Sequence, residues 1–416
     1  ATIDAGDSSA VLLQQARFVI MRNLYCRGSG RKNGNRSNGV VLGHCESIEF
    51  TESVVTGFQK SGLWINCSEG ILAYRIRAIN NGAAGIYASG DWNSRNCQRI
   101  QIIHCDAINN PGDPTNLTNH SGNGILAGYC KNVLIDSCTA TNNGWDMPRK
   151  GNGPVGIWCF ESDSVVIQHC IAYRNTTSAG GGDGGGFDLD GGVTNSVIQY
   201  CLSYENQGSA FGLFQYDGAS PWNNNTVRFC ISINDGNVSP AHAAVFVWNS
   251  SGDSNQLANC YFYNNSIFNE RGAAISYEKM SSNKGFRFYN NHFIAAKGLI
   301  TGKESKPVYL HNNWYLLNRA GYSSMKETIR SWVKRTGQEQ SRNHFVGINK
   351  DPLFPSLTSR LPTRPESLQQ LSDRYARSQK KAFQNKGLDL LNVVGIDRGE
   401  KDFSGRKAKA RMIGAL

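Results

Sequence analysis

The sequence predicts an all-β chain wound as a parallel β-solenoid, and three observations carry that expectation. A five-residue phrase (small residue, apolar, variable, apolar, variable) recurs ten times. A second phrase runs between the copies, alternates apolar and polar residues with period two, and closes in an Asn-rich turn, which reads as strand then turn. Successive copies start 23 to 39 residues apart. The minimum is one coil of a solenoid, and the excess in longer copies is loop.

The first phrase reads GVVLG from Gly39, GLWIN from Gly62, GIYAS from Gly85, GILAG from Gly124 and GIWCF from Gly156. It continues as GFDLD from Gly186, AFGLF from Ala210, AVFVW from Ala244, AISYE from Ala274 and GLITG from Gly298. The second phrase appears as IQIIHCDAINN, NVLIDSCTATNN, SVVIQHCIAYRN, NSVIQYCLSYEN and NTVRFCISIND.

Side chains alternate faces along a strand, so the apolar second and fourth residues of each first phrase face the core and the third and fifth face out. Parallel stacking aligns the outward residues into two columns. One runs Val41, Trp64, Tyr87, Leu126, Trp158, Asp188, Gly212, Phe246, Ser276, and the other Gly43, Asn66, Ser89, Gly128, Phe160, Asp190, Phe214, Trp248, Glu278. Solvent-facing aromatics beside carboxylates cost solubility unless something covers them, and the flat faces of sugar rings suit Trp, Tyr and Phe. The strip reads as a carbohydrate groove. The excess residues fall at 111–123, 144–154, 176–185 and 235–242, just before first phrases. These loops are expected to wall one side of the strip and cover part of it, with Trp145, Asp146, Arg149, Lys150 and His242 as their useful chemistry; the competing reading has them fold over the strip and bury it as a secondary core.

The stretch GGGDGGGFDLDGG, residues 180–192, places Asp183, Asp188 and Asp190 mid-strip. Glycines leave room for a bulky substrate and let the loop adopt the φ values that bring Asp183 over the strip. Asp188 and Asp190 are i and i+2 on one face, with Cα atoms about 6.5 to 7 Å apart by strand rise. Their carboxyls then lie roughly 5 to 9 Å apart, which spans both the retaining and the inverting glycosidase ranges. Two close carboxylates raise one pKa, setting a protonated acid beside an ionised base or nucleophile. Asp183 is read as a third carboxylate that orients water or shares the proton. Substrate contacts are expected from Trp64, Tyr87, Trp158, Phe160, Phe214, Gln215, Tyr216, Asp217, Trp248, Trp145, Lys150 and Glu278. Glu278, three copies from the acids and about 14 Å away by coil spacing, is a subsite residue at best. The competing reading makes Asp183, Asp188 and Asp190 hard-oxygen ligands of calcium. No cysteines have the close paired spacing of a zinc site.

The wording GPVGIWCFESDSVVIQHCIAYRN, followed by GGGDGGGFDLDGGVTNSVIQYCLSYEN, resembles a bacterial secreted branch of the pectate-lyase-like superfamily. The resemblance covers roughly residues 1–318. It implies a single-stranded right-handed parallel β-helix of about ten or more coils, a secreted or periplasmic location, and glycoside hydrolase or polysaccharide lyase activity. That branch usually carries an acid where Gly185 stands here, so a third acid at that point is missing. The leading expectation is a glycoside hydrolase acting on a poly- or oligosaccharide, with no cofactor required. The second is a calcium-dependent lyase, in which a Lys or Arg removes the proton α to a uronate carboxyl. Lys150, Arg149 and Lys279 are then the candidate bases. The third, a non-catalytic glycan-binding solenoid, needs the aromatics but not acids at their centre.

The cysteines fit a solenoid ladder rather than a disulfide framework. Cys105, Cys138, Cys170, Cys201, Cys230 and Cys260 are read at one place in successive second phrases, and Cys45, Cys67, Cys97 and Cys130 at another corner. Stacked small side chains make an internal ladder, Cys159 joins the core, and Cys26 has no assignment. His104 and His169 precede ladder cysteines and read as surface residues. Nine Asn-X-Ser/Thr triplets follow from Asn-rich turns and carry little weight as glycosylation sites.

The net charge of +11 belongs to the C-terminal part, where residues 303–416 hold 22 Lys and Arg against 10 Asp and Glu. Those positives are interleaved with Ser, Gln and Leu as on a solvated helix, so no nucleic-acid partner is expected. No run of about 18 apolar residues exists to span a membrane. No basic-then-apolar leader opens the sequence, so any signal peptide is expected to precede residue 1. The β-helix is expected over 1–318 and a helical extension packing on or capping it over 319–416. SSMKETIRSWVKRTGQEQ and RPESLQQLSDRYARSQKKAFQNKG read as helices, the second opened by Pro365, and DFSGRKAKARMIGAL reads as a closing strand. Oligomeric state is not legible.

Overall fold

The computed structural model describes every residue except 93, 238–241, 279–281, 304–305, 318–328, 353, 355–360, 372–382 and 384. Each coil contributes one strand to each of three parallel sheets, which hold 12, 11 and 11 strands. One coil shows the plan. Val54–Thr56 lies in the first sheet, Ser61–Asn66 in the second and Glu69–Tyr74 in the third, and Arg77–Ile79 returns to pair with Val54–Thr56. All ten copies of the first phrase fall in the second sheet, joined there by Val11–Gln14. The register runs Trp64, Tyr87, Leu126, Trp158, Asp188, Gly212, Phe246, Ser276, so the first outward column stands as read from the sequence. The inward residues of the same strands, among them Ala127, Cys159, Leu189 and Leu213, are fully buried.

Between the third and first sheets the chain turns through single left-handed residues, with φ 53° at His104, 51° at His169 and 56° at Tyr200. The next residue is the ladder cysteine. The Cys105 and Cys138 N–H groups donate to the Sγ atoms of Cys138 and Cys170, each over 3.4 Å. All twelve cysteines are free thiols. After Cys230 the ladder passes to Asn265, Asn291 and Asn312, because the Cys230 N–H donates to Asn265 Oδ1 and the amides then bond coil to coil. Two cysteine assignments are thereby corrected. Cys260 lies in register with Asn225 on the third sheet, not with Cys230. Ser68, not Cys67, stands between Cys45 and Cys97, and its Oγ accepts the Cys45 N–H. A one-residue slip moves a side chain to the other face of a strand, and Cys and Ser are too alike in size to betray it. Cys26 faces the core of the first sheet between Ile3 and Val55.

At the corner between the first and second sheets, buried Asn81, Asn110, Asn143, Asn175 and Asn206 form a second ladder. Each accepts the backbone N–H of its predecessor, as in Asn110 N to Asn143 Oδ1 at 2.9 Å, and donates its amide to the next Oδ1. It ends on Asp235, whose carboxylate takes both Asn206 donors. Backbone groups that a tight buried corner would orphan are thus paired.

The helix Ile329–Thr336 closes the last coil, with Trp332 against Tyr309 and Trp314. Glu339 follows and accepts Asn312 Nδ2 and Trp314 Nε1. The second expected helix opens with a short turn at Pro365–Ser367 and continues through 368–371, and residues 372–382 lie outside the described ones. Residues 402–416 form turns, with a bridge between Lys401 and Lys407, rather than a closing strand. Phe403, Ala415 and Leu416 cover Leu202, Tyr204 and Ile231 on the first sheet, where a loop buries the same surface that a strand would. Among the described residues no helix is long and apolar enough to cross a membrane.

Candidate active site

Strand Gly185–Leu189 carries Asp188 outward, and Asp190 follows two residues on. Asp188 has Trp158 as its neighbour in the coil before and Gly212 in the coil after. The glycine lets its neighbours close in, since a Cβ at 212 would stand 2.8 Å from Asp188 Oδ1 and 2.7 Å from the Phe214 ring. Asp183, Asp188, Asp190 and Glu278 all line one hollow of about 240 Å³. All four long loops reach it: His120 comes from the first, Asn152 and Gly153 from the second, Gly182 and Asp183 from the third, and His242 from the fourth.

The three aspartates differ in their partners. Asp188 is buried, and its Oδ1 has no hydrogen-bond partner among the described residues. Burial first, then the charges of Asp190 and Asp183, drive its pKa far above the ordinary carboxylate value. Asp190 is pushed up to about 7, chiefly by burial, against which the Gly191 N–H bond to its Oδ1 works. Asp183 is pushed up to about 6 by burial, with the Gly153 N–H on its Oδ2 and nearby Arg149 pulling down and Glu278 pushing up. Asp183 itself takes a left-handed backbone, φ 55°, so the strain of aiming this loop sits on the acid as well as on Gly180 and Gly184. His120 and His242 are both held neutral, their pKa values drawn down to about 4 by burial.

A family model described as the right handed beta helix region matches residues 98–262. The fold is a right-handed parallel β-helix. Among solved structures, the crystal structure of pectate lyase Pel9A is similar with a TM-score of 0.35 at 13% identity, covering 87% of this chain and 86% of that one. No curated protein matches the sequence.

Around the hollow the β-helix departs from an open strip. Trp158, Phe214 and Phe246 are buried rather than solvent-facing. His120 of the first loop lies edge-on to Trp158 at 4.8 Å, and His242 packs on Phe246 at 4.6 Å. The loops have roofed the middle of the strip and turned its aromatics into walls, with Trp158 pinned by its Nε1–H bond to Asn123 Oδ1. Trp64, Tyr87, Phe160 and Trp248 remain half-buried, and Trp248 lines the hollow. Glu278 does too, and its charge reaches Asp183.

Other residues singled out in the sequence lie elsewhere. Gln215 is buried and structural: its Oε1 accepts Gly192 N–H and its amide donates to Ser220 O. The Tyr216 ring lies over Gly191 and feels the Asp190 charge, while Asp217 is exposed at the turn. Trp145 lines a separate hollow with Tyr25 and Arg27, under the Arg31 guanidinium, where its Nε1–H donates to Asn109 Oδ1. Asp146 is tied to Arg31 and Lys32. Lys150 is exposed with its stem along Gly180, and Arg149 donates to Asn152 O. Lys279 lies outside the described residues. Among the described residues, no lysine or arginine lines the hollow, and no three or more His, Cys, Asp or Glu converge closely enough to hold a metal ion.

Three residues near the site escaped the sequence reading. His120 stands in a loop without a motif, Tyr129 falls one position beyond the repeated phrase, and Trp92 belongs to a turn. Column counting registers only positions that repeat.

Proposed function

We propose that this β-helix is an exported glycoside hydrolase that takes a sugar residue into the hollow between Asp188, Asp190 and Asp183. The observation that carries the reading is the Asp188 carboxyl, buried with an unpartnered oxygen beside two further carboxyls. A buried polar atom without a partner costs about 1–3 kcal/mol, a cost that a substrate oxygen bonded there would offset. Burial keeps Asp188 protonated, as a donor to the leaving glycosidic oxygen must be. Asp190 and Asp183, at about 7 and 6, supply an ionised base or nucleophile near neutral pH. A volume of about 240 Å³ falls just under the roughly 300–1,000 Å³ of pockets for drug-sized ligands, which suits one ring rather than a run of them. Lyase chemistry needs a basic side chain at the reacting carbon, and the described lining supplies only carboxyls and neutral imidazoles.

The test is a polysaccharide panel run with calcium and with chelator on wild type and Asp188→Asn. Reducing ends and the absorbance of unsaturated uronate are followed together. The hydrolase reading expects reducing ends without absorbance, indifferent to chelator and absent in the variant. Absorbance that rises with product and disappears with chelator would reassign the aspartates to calcium and the reaction to β-elimination.

A further inference from the structure

The hollow is not isolated on the surface. From Trp158 at its wall a series of rings leads outward and toward earlier coils: Phe160 lies 5.5 Å from Trp158, Tyr129 lies 5.3 Å from Phe160, and Trp92 lies 5.5 Å from Tyr129. Exposure grows along it, from buried Trp158 through half-buried Phe160 and Tyr129 to Trp92 at 72%. The backbone makes room for the series, since a Cβ on Gly128 would stand 2.3 Å from Phe160 Cζ. Without one, the Phe160 ring lies across the neighbouring coil and meets Tyr129. Each step is close to the length of one pyranose residue in a chain, and an indole exposed to this degree is costly unless a flat ligand face covers it.

Charge narrows the ligand. Four carboxyl side chains face the hollow, and no lysine or arginine among the described residues lines it. Arg95 is committed to the carbonyls of Glu161 and Gly192, and Arg149, whose charge reaches Asp183, does not line the hollow. A polyuronate would bring its own carboxylates against these acids with no lysine or arginine of the described lining to meet them.

We propose that Phe160, Tyr129 and Trp92 form a platform for the body of an uncharged glycan chain whose end residue occupies the hollow. That the end residue is cleaved rests on the hydrolase reading; the platform does not. The experiment is affinity electrophoresis of Asp188→Asn through gels containing galactan, xylan or galactomannan, with polygalacturonate and alginate as the charged probes. Retardation is expected in at least one neutral gel and in neither charged one. Adding Trp92→Ala or Tyr129→Ala weakens it roughly three- to tenfold, the range for losing one aromatic contact. Phe18→Ala, which removes an equally exposed ring on the third sheet, leaves it unchanged. Retardation in the charged gels, in no gel, or with equal loss in the Phe18 variant overturns the proposal. Wild-type reducing-end release from the retarding polymer judges the hydrolase reading separately: binding without release removes the hydrolase and leaves the platform standing.

Discussion

At Asp188 the proposed role as proton donor and stability pull against each other. Its folded pKa stands well above the ordinary 3.8, so the folded protein holds a proton that the unfolded chain gives up. The resulting cost is absent below the unfolded pKa and grows as pH rises through neutrality. Asp188→Asn keeps the shape and removes the titration. The variant is expected to melt with wild type at pH 3.5 and several degrees above it at pH 7.5, while turnover falls about 10²- to 10⁴-fold. A calorimetric scan at the two pH values checks the first part, and a variant that melts lower at pH 7.5 would contradict it. On the proposed hydrolase reading, the acid limb of the rate profile belongs to the coupled Asp190 and Asp183. Activity is expected to fall as pH drops through about 7 to 6, and since the Asp183 charge raises Asp190, Asp183→Asn should move the limb to lower pH. His120 and His242, held near 4, do not titrate there, so His242→Gln should leave the limb in place. Period-two alternation made the Asp188 and Asp190 pair legible in the sequence. Partial cover by the loops was legible too, but its extent was not, because where a loop folds back depends on tertiary contacts such as His120 on Trp158.

At the level of elements, the coil is held by what its corners do with backbone groups. Asn143 accepts the Asn110 N–H and amide and donates to Asn175 Oδ1 and Ala107 O, so truncation orphans groups in coils on both sides. Asn143→Ala is expected to cost about 2–4 kcal/mol, well beyond the loss at exposed Asn142, measured by denaturant midpoints. Equal losses at the two positions would show that the ladder contributes nothing special. The strands of the second sheet were readable because apolar alternation repeats coil after coil. The amide ladder was visible only as Asn-rich turns, because whether an Asn points into the corner or out to water depends on a left-handed residue beside it, such as Asn142 at φ 55°. The two cysteine misreadings differ in kind: Cys67 is one residue from the ladder position that Ser68 fills, whereas Cys260 lies five residues before Asn265 on a different sheet.

Across the whole molecule, a β-helix behaves as a one-dimensional stack in which each coil touches only its neighbours, so damage at an end should stay near that end. The final coil is closed by Trp332, packed on Tyr309 and Trp314, and by Glu339, which ends the amide ladder that began with the cysteines. Farther back, Leu388, Leu390 and Ala408 cover Phe229, Tyr263 and Tyr289 on the sheet surface, so the C-terminal segment seals flank as well as end. Removing the Trp332 ring leaves a void against two aromatic rings, a loss of about 3–5 kcal/mol in a well-packed core. In a stack that loss falls first on the strands beside the void. Trp332→Ala should therefore show faster amide exchange at Val308–Leu310 and Asn313–Leu316 while Gly185–Leu189, several coils away, keeps its protection. Exchange that rises equally at all three strands would mean that the β-helix unfolds as one cooperative block, and that its cap and the coil carrying Asp188 are energetically a single unit.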